Sequence, residues 1–252
     1  MTHITSPQNP RLKAVKRLAT RRERERAGRF AAEGEDLVLA AAQAGRALVE
    51  GYRVAGSQIG GAAFHDVEPA ALRAASTLGS GTRAIGVYEQ RWGAPAGPLC
   101  VYLHGVGDPG NVGTIVRSAQ AFGASCVALG PGCADPHSPK AVRASMGAIF
   151  SVTLARVDDV GELPGERVAL VADAPQALRS AGGDGAAGPL TLLVGAERDG
   201  LPAQIVAACA RSARIPIASE SLNAAMAATV ALYEVTRGGG DRAPSSSRVR
   251  AS

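Results

Sequence analysis

The chain has 252 residues, of which 46% are apolar, and a formal net charge of +5 at pH 7. This length is enough for two modest domains that each bury a core. No segment approaches the roughly 20 apolar residues that a membrane helix needs, and the charged N-terminus lacks the apolar run of a secretory signal. We therefore expect a cytoplasmic protein with no membrane partner. The spacing of Cys100, Cys126, Cys133 and Cys209 is not that of a metal site, which predicts free thiols and no bound metal.

The positive charge is concentrated at the two ends of the chain. Residues 1–29 carry nine Lys and Arg side chains against Glu23 and Glu25, and the segment from Arg237 carries four Arg against Asp241. Concentrated cations favour a polyanionic partner, because neutralising phosphates releases condensed counterions. A solvated helix face would carry the same charges, so both interpretations stay open at this point.

Residues 1–92 predict a small N-terminal α/β domain. A basic amphipathic helix is predicted over residues 12–26. Its apolar stripe consists of Leu12, Val15, Leu18 and Ala19. The elements that follow are a strand, a helix, a strand, a helix and a strand, at residues 30–33, 35–44, 52–55, 68–76 and 84–88.

A Gly- and Pro-rich segment at 93–98 predicts a linker to a second domain over residues 99–237. The predicted strands of that domain are residues 99–103, 126–129, 168–171, 191–194 and 213–217. The predicted helices are residues 112–122, 139–146, 202–210 and 221–236. Such alternation predicts an α/β domain whose mostly parallel sheet has helices on both faces. Residues 238–252 have the composition of a flexible basic tail.

Residues 104–113, HGVGDPGNVG, contain the glycine spacing of a dinucleotide-binding loop. Pro109 lacks the backbone N–H that a pyrophosphate would need, and no acid ends the next strand to hold a ribose. A Rossmann oxidoreductase therefore ranks last among the hypotheses. Asn111 can cap the following helix, and Arg117 points away from its apolar stripe, so a structural role and a solvated position would also explain these two residues.

Two later strands end in loops that also carry polar residues. Residues 190–202 predict a buried strand and a Gly-rich loop, and residues 215–234 predict a strand, a tight loop and a helix whose first turn includes residues 221 and 223. Ligands of open α/β sheets bind beyond the carboxyl ends of the strands. We therefore expect the polar residues at these three strand ends to share one pocket. They are Asn111, Glu197, Ser221 and Asn223.

These three stretches, in this order, resemble the three motifs of the SpoU (TrmH-type) RNA ribose methyltransferases of the SPOUT superfamily. The first motif is matched by residues 111–113, Arg117, Ala119 and residues 122–123. The second is matched by residues 195–197 and 200–201, and the third by residues 215–216, 221–223 and 232–234. Residues 6–10, 29–30 and 33–34 resemble the small substrate-binding domain that precedes SpoU domains acting on ribosomal RNA.

The resemblance implies a C-terminal α/β sheet with a deep trefoil knot, behind a small N-terminal α/β RNA-binding domain. It implies S-adenosylmethionine as cofactor, bound by Val194, Gly195, Ile215, Pro216 and Leu222. It also implies RNA as partner, and the basic side chains expected to bind it are Arg11, Lys13, Lys16, Arg17, Arg21 and Arg22. A homodimer that shares the substrate site is implied as well, and the small-residue run over residues 223–228 is compatible with close helix packing.

The implied activity is methylation of a ribose 2′-hydroxyl, with large-subunit (23S) ribosomal RNA as the expected substrate because of the N-terminal domain. Arg117 would clamp the target phosphate and help to activate the hydroxyl, although a free guanidinium is too basic to accept a proton easily. Asn111 and Asn223 would orient Arg117 and the ribose, and Glu197 and Ser221 would shape the pocket. The alternatives are a tRNA ribose methyltransferase and a non-catalytic RNA-binding protein on the same fold.

Overall fold

The computed structural model describes residues 3–78, 81–178, 188–219 and 221–237, so the predicted tail over residues 238–252 lies outside it. The N-terminal elements are β1 (His3–Ile4), α1 (Pro10–Arg17), α2 (Arg21–Ala27), β2 (Arg29–Glu33), α3 (Glu35–Gln43), β3 (Glu50–Val54), β4 (Phe64–Val67), α4 (Pro69–Ala75) and β5 (Ala84–Glu89). The strands form one mixed sheet in the order β1-β4-β3-β5-β2, in which β5 runs antiparallel to both of its neighbours. This is the small α/β domain that the sequence predicts.

The predicted single helix over residues 12–26 is wrong, because the structure breaks it into α1 and α2. Tighter i to i+3 bonds end α1 around Leu18 and Ala19. The carbonyl groups of these two residues accept hydrogen bonds from the Arg24 guanidinium, at 2.8 and 2.7 Å. Leu12 and Val15 are buried with Leu18, whereas Ala19 is exposed. A buried arginine side chain thus donates the hydrogen bonds that backbone N–H groups would donate to these carbonyl groups in a continuous helix.

The C-terminal part holds a second sheet of six strands. Its elements are β6 (Leu99–Leu103), α5 (Pro109–Ala121), β7 (Cys126–Leu129), α6 (Pro139–Ala144), β8 (Thr153–Arg156), β9 (Glu166–Leu170), β10 (Leu190–Val194), α7 (Ala203–Ala207), β11 (Arg211–Ala213) and α8 (Ala224–Thr236). All of its strand pairs are parallel, in the order β11-β9-β10-β6-β7-β8. The predicted parallel α/β architecture is confirmed, and the trefoil knot stays a prediction.

Alternate residues of β6 pack on opposite faces of this sheet. Val101 and Leu103 belong to one core together with α5 and α8, whereas Cys100 and Tyr102 belong to another core together with Ile205 of α7. Helices therefore cover both faces, as parallel sheets require. In the part of the chain that the structure describes, α5 and α8 are the longest helices, at 13 residues each, and no helix could cross a membrane.

The direction of winding reverses between β6 and β10. From β6 the chain builds β7 and β8 on one side, and β9, β10 and β11 then fill the other side. Leu103 and Val194, the last residues of β6 and β10, are register partners, and the N–H of His104 donates to the Val194 carbonyl at 2.9 Å. Two loops therefore start side by side at the carboxyl edge of the sheet, where doubly wound folds bind their ligands.

The two sheets share a core. Phe30 and Tyr88 from the N-terminal sheet lie 5.9 and 4.9 Å, centroid to centroid, from the ring of Phe150. Trp92 lies 5.1 Å from the ring of His137 and carries the Arg156 guanidinium 4.2 Å above its own ring. Aromatic contacts therefore hold the chain at residue 92 against the C-terminal sheet.

The predicted strand over residues 213–217 is wrong except at Ala213, because β11 spans Arg211–Ala213. β11 ends at Ala213, and Arg214 turns away to pair with residues 176–178, through bonds of 2.8 Å to Gln176 and Leu178. Pro216 could not have continued a strand ladder, because it has no N–H to donate. Strands β1, β4 and β8 are absent from the predicted elements.

Candidate active site

Asp108 begins the helix that follows β6. Its carboxylate accepts a hydrogen bond from the Asn111 N–H at 3.0 Å, and Pro109 fills the first helical position, where no N–H is needed. A hydrogen bond from Lys140, at 2.7 Å, lowers the pKa of Asp108 together with the Asn111 N–H, so the cap stays ionised at neutral pH. The expectation that Asn111 caps α5 is therefore wrong. Asn111 lies in the first turn instead, where its side chain is free for other contacts.

Side chains from three strand ends form one chain of hydrogen bonds. The Asn111 Nδ2 group donates to Oε1 of Glu197, and the Asn223 Nδ2 group donates to Oδ1 of Asn111 at 3.1 Å. Asn223 Oδ1 in turn accepts from the backbone N–H groups of Ala225 and Met226, at 2.9 and 3.4 Å, and so caps α8. The predicted helix over 221–236 thus begins at Ala224.

The direction of every bond in this chain is determined by its ends. A carboxylate only accepts hydrogen bonds, so Glu197 must face the NH₂ group of Asn111. The first N–H groups of α8 only donate, so they engage the oxygen of Asn223 and turn its NH₂ group toward Asn111. The two amides are therefore held in one orientation at the edge of the sheet. We call Glu197, Asn111 and Asn223 the amide network.

The loop after β10 presents Glu197 at its tip. Ala196 and Gly200 exchange two backbone hydrogen bonds, of 3.2 and 3.0 Å, which close the loop. Gly200 has a φ of +63°, the left-handed region that favours glycine. A Cβ atom on Gly195 would lie 2.2 Å from the carbonyl carbon of Gly200. Both glycines are therefore required for this tight closure.

A cavity of about 330 Å³ lies beside the amide network. The predicted cofactor residues Val194, Gly195, Ile215 and Leu222 line it, and Pro216 lies in the same loop without lining it. Glu197 and Ser221 also line the cavity, which places them with the cofactor residues. Further lining residues that were not predicted are Leu170, Arg198, Ile217 and Ala227. Arg198, Ile217 and Ala227 lie close in sequence to predicted site residues, which was the available signal, whereas Leu170 ends β9, where no site residue was predicted.

The cavity suits S-adenosylmethionine in size and chemistry. Small-molecule sites of roughly 300–1,000 Å³ combine apolar walls with a few polar groups. Here Val194, Ile215 and Leu222 give the cavity apolar walls, and the loops supply backbone groups. Glu197 and Arg198 place one negative and one positive charge at the cavity.

Arg117 does not join the amide network. It lies on the exposed side of α5, about 9 Å along the helix axis from Asn111. Among the described residues, we find no hydrogen bond or ion pair for its side chain. The structure therefore does not show Asn111 orienting Arg117 within one protomer.

The six basic residues predicted to bind RNA are all exposed. Arg11 pairs with Glu50, and Arg21 pairs with Glu25 at 2.8 Å. Within the described ranges, we find no ion pair for the other four. They are Lys13, Lys16, Arg17 and Arg22.

Arg24, from the same basic run, has a different environment. Its side chain is only 3% exposed, and its Nε and one terminal nitrogen donate to Oδ2 of Asp135, at 2.8 and 2.7 Å. Burial opposes ionisation of Asp135, but a hydrogen bond from the backbone N–H of His137, at 2.8 Å, and the ion pair with Arg24 hold its pKa well below the usual range. Arg24 thus ties α2 to the C-terminal part of the chain.

Comparisons with known proteins agree with this geometry. Residues 98–233, more than half of the chain, match the model of the SpoU rRNA Methylase family, and residues 9–55 match the MRM3-like substrate binding domain. The 23S rRNA (guanosine(2553)-2′-O)-methyltransferase RlmP of Bacillus subtilis is 28% identical over 246 residues, which cover 93% of this chain and 99% of that protein.

Solved structures show the same similarity. The AdoMet-bound rRNA methyltransferase from Sinorhizobium meliloti is 30% identical, with a TM-score of 0.84 over 94% of this chain and 97% of that one. The SpoU methyltransferase AviRb from Streptomyces viridochromogenes, in complex with AdoMet, is 27% identical, with a TM-score of 0.79 over 91% and 98%. The chain belongs to the SpoU rRNA methylase family.

Proposed function

We propose that this protein transfers a methyl group from S-adenosylmethionine to a ribose 2′-hydroxyl of large-subunit ribosomal RNA. The observation that carries the proposal is the amide network beside a cavity that suits this cofactor. The matched substrate-binding domain and the names of relatives such as RlmP support ribosomal RNA as the substrate.

S-adenosylmethionine, when bound, supplies an electrophilic methyl group. The tasks left to the protein are to hold the ribose in line with that methyl group and to assist loss of the hydroxyl proton. In this proposal the amides of Asn111 and Asn223 position the ribose, and the Glu197 carboxylate keeps the Asn111 amide in place. Arg117 clamps the adjacent phosphate, because a planar guanidinium matches phosphate oxygens with two parallel hydrogen bonds.

We also propose that the active form is a homodimer in which Arg117 of one protomer serves the site of the other. Met226, Val230 and Tyr233 lie at i, i+4 and i+7 of α8 and are 62%, 41% and 53% exposed, which is unusual for apolar side chains so close together. The ring of Tyr233 contacts Phe122 just after α5, the helix that carries Arg117. A second copy on this stripe would cover it.

The small-residue run over residues 223–228, which is compatible with close helix packing between protomers, packs within one protomer instead. Ala224, Ala225 and Ala228 are buried in the core of their own protomer, against α5 and β10. The exposed stripe of larger residues is therefore the better candidate for the contact between protomers.

The proposal is tested by transfer of labelled methyl from S-adenosylmethionine to unmodified large-subunit rRNA, small-subunit rRNA, tRNA and intact large subunits. We expect label in large-subunit rRNA or large subunits, at one site that resists alkaline cleavage. Label in tRNA alone would contradict the proposed substrate. No label together with no cofactor binding by calorimetry would support the non-catalytic alternative.

A further inference from the structure

A second cavity, of about 120 Å³, lies in the N-terminal domain between α1, α2 and the sheet. Its floor is apolar and consists of Val15, Leu18 and Val87, which are 5%, 8% and 5% exposed. Its rim carries Arg17, from the end of α1, and two further arginines. These are Arg26 of α2 and Arg29 at the start of β2. We call this cavity the N-terminal cleft.

The charges at the cleft do not balance. Two carboxylates line the cleft, and each forms an ion pair with an arginine. Glu23 accepts a hydrogen bond from Arg26 at 2.8 Å, and Glu50 pairs with Arg11. Across the described ranges, we find no ion pair for Arg17 or Arg29, and both side chains are exposed. The rim therefore keeps positive charge available for an anionic ligand, above an apolar floor.

We propose that the N-terminal cleft binds one unpaired nucleotide of the RNA substrate, with its base on the apolar floor and its phosphates on Arg17 and Arg29. This inference rests on the proposed function. RNA-binding proteins stack splayed bases on aromatic side chains and arginine planes, enzymes that extrude a base also use apolar side chains, and cations hold the backbone. The cleft is well below the roughly 300 Å³ at which sites for larger ligands begin, so it suits a single ring system.

The cleft is linked to the C-terminal part of the chain through α2. α2 carries Arg26 on the rim of the cleft, and two residues earlier it carries Arg24, which is buried against Asp135. A nucleotide held in the cleft is therefore held by the same helix that is ion-paired to the methyltransferase domain. The cleft would act as an anchor for RNA rather than as a second reaction site.

The test is fluorescence anisotropy of the full-length protein with a labelled single-stranded oligocytidylate and with a blunt-ended RNA duplex. Ala14 lines the cleft and is exposed, so Ala14→Trp fills the cleft without changing the charge. We expect this change to weaken oligocytidylate binding by about tenfold or more, the effect of losing one base contact. Binding of the duplex, which depends on surface charge, stays the same.

Ala42→Trp is the matched control, because Ala42 is an exposed alanine of α3 outside the cleft. Ala27→Trp, at the other wall of the cleft, repeats the test if Ala14→Trp does not fold by circular dichroism. Oligocytidylate binding that is unchanged in a folded cleft variant would overturn the inference. Competition by an oligoglutamate peptide as strong as that by the oligonucleotide would overturn it too, because the cleft would then bind any acidic chain.

Cofactor binding by calorimetry separates this inference from the proposed function. If the cleft variants bind S-adenosylmethionine like wild type but lose oligocytidylate, the cleft is the nucleotide site. If wild type binds no cofactor and transfers no methyl group, the proposed function fails whatever the cleft does.

Discussion

Asn111 and Glu197 are 86 residues apart in the sequence, yet the side-chain amide of one donates a hydrogen bond to the carboxylate of the other. The pairing of Leu103 with Val194 brings them together, because each residue follows the end of one of these neighbouring strands. The Asp108 cap contributes as well, since it leaves the Asn111 side chain free to reach across. A contact between distant residues thus follows from strand register and one helix start.

The polarity of this contact can be reversed by mutation. Asn111→Asp places two carboxylates against each other, and Glu197→Gln removes the charge that orients the amide, so we expect each change to lower kcat by about 10- to 100-fold. The double variant Asn111→Asp, Glu197→Gln restores one donor and one acceptor and should recover part of the loss in methyl-transfer assays. Asp199→Asn, in the same loop, is the control for lost charge. A double variant as slow as the product of both single effects would show that the contact does not matter.

Arg117→Ala should reduce methyl transfer by about 100-fold or more, because the phosphate loses its charged clamp, while the affinity for S-adenosylmethionine stays the same. Arg117→Lys should not restore the rate, since an ammonium group cannot form two parallel bonds. Kinetics and calorimetry measure the two quantities. Thr114→Ala, one turn away on the same exposed side of α5, is the control. Near-normal turnover of Arg117→Ala would remove this residue from the chemistry.

Val230→Glu should convert a dimer into a monomer, since it places a charge in the middle of the exposed apolar stripe of α8. Sedimentation measures the mass of each form. Leu39→Glu, on α3, tests whether any exposed apolar residue has this effect. A wild-type protein that sediments as a monomer would contradict the proposed dimer.

Arg24→Met should lower the free energy of unfolding by about 3–5 kcal/mol, because it leaves the Asp135 carboxylate buried without its cation. The carbonyl groups of Leu18 and Ala19 lose their donors as well. Urea denaturation measures the change. Arg22→Met, on the exposed side of the same helix, should change stability by no more than about 0.5 kcal/mol. Equal effects of the two substitutions would show that the buried pair contributes nothing specific.

Stability should fall as the pH drops below about 6.5, the usual pKa of histidine. Burial lowers the pKa of His137, although Asp135 opposes the shift, so the unfolded chain binds a proton at a pH where the folded chain does not. The contribution of His137 is thus complete above the unfolded pKa and is lost as the pH falls through the folded pKa. His137→Phe should flatten the dependence of Tm on pH below 6.5. If Tm depends on pH below 6.5 as steeply in His137→Phe as in the wild type, groups other than His137 cause the dependence.

The central strands could be predicted from the sequence because burial on both faces gives unbroken apolar runs. β6 and β7 have the predicted bounds, and the polar loops after β6 and β10 could be placed at one sheet edge for the same reason. β4 was missed because His65 and Asp66 interrupt its apolar pattern. β1 was missed because it has only two residues, and β8 because it is an edge strand in which polar Thr153 and Arg156 flank only two apolar residues.

Other features depend on contacts that no local pattern reveals. The break after α1 depends on Arg24, which looks like any other cation of a basic run until its partner Asp135 is known. Similarly, Asp108 and Asn111 are both good helix caps, and only the backbone decides between them.

The buried ion pair between Arg24 and Asp135 has a consequence for how a target RNA could be chosen. It joins the basic N-terminal surface to the C-terminal part of the chain, so it restricts changes in the distance from that surface to the cofactor cavity. Such a protein would select its RNA by a distance. An RNA would be accepted when the span between its anchored segment and its reactive ribose equals the distance from the N-terminal surface to the cofactor cavity. Selection would then depend on the folded shape of the RNA, and a single methylated position could result without any reading of the bases around it.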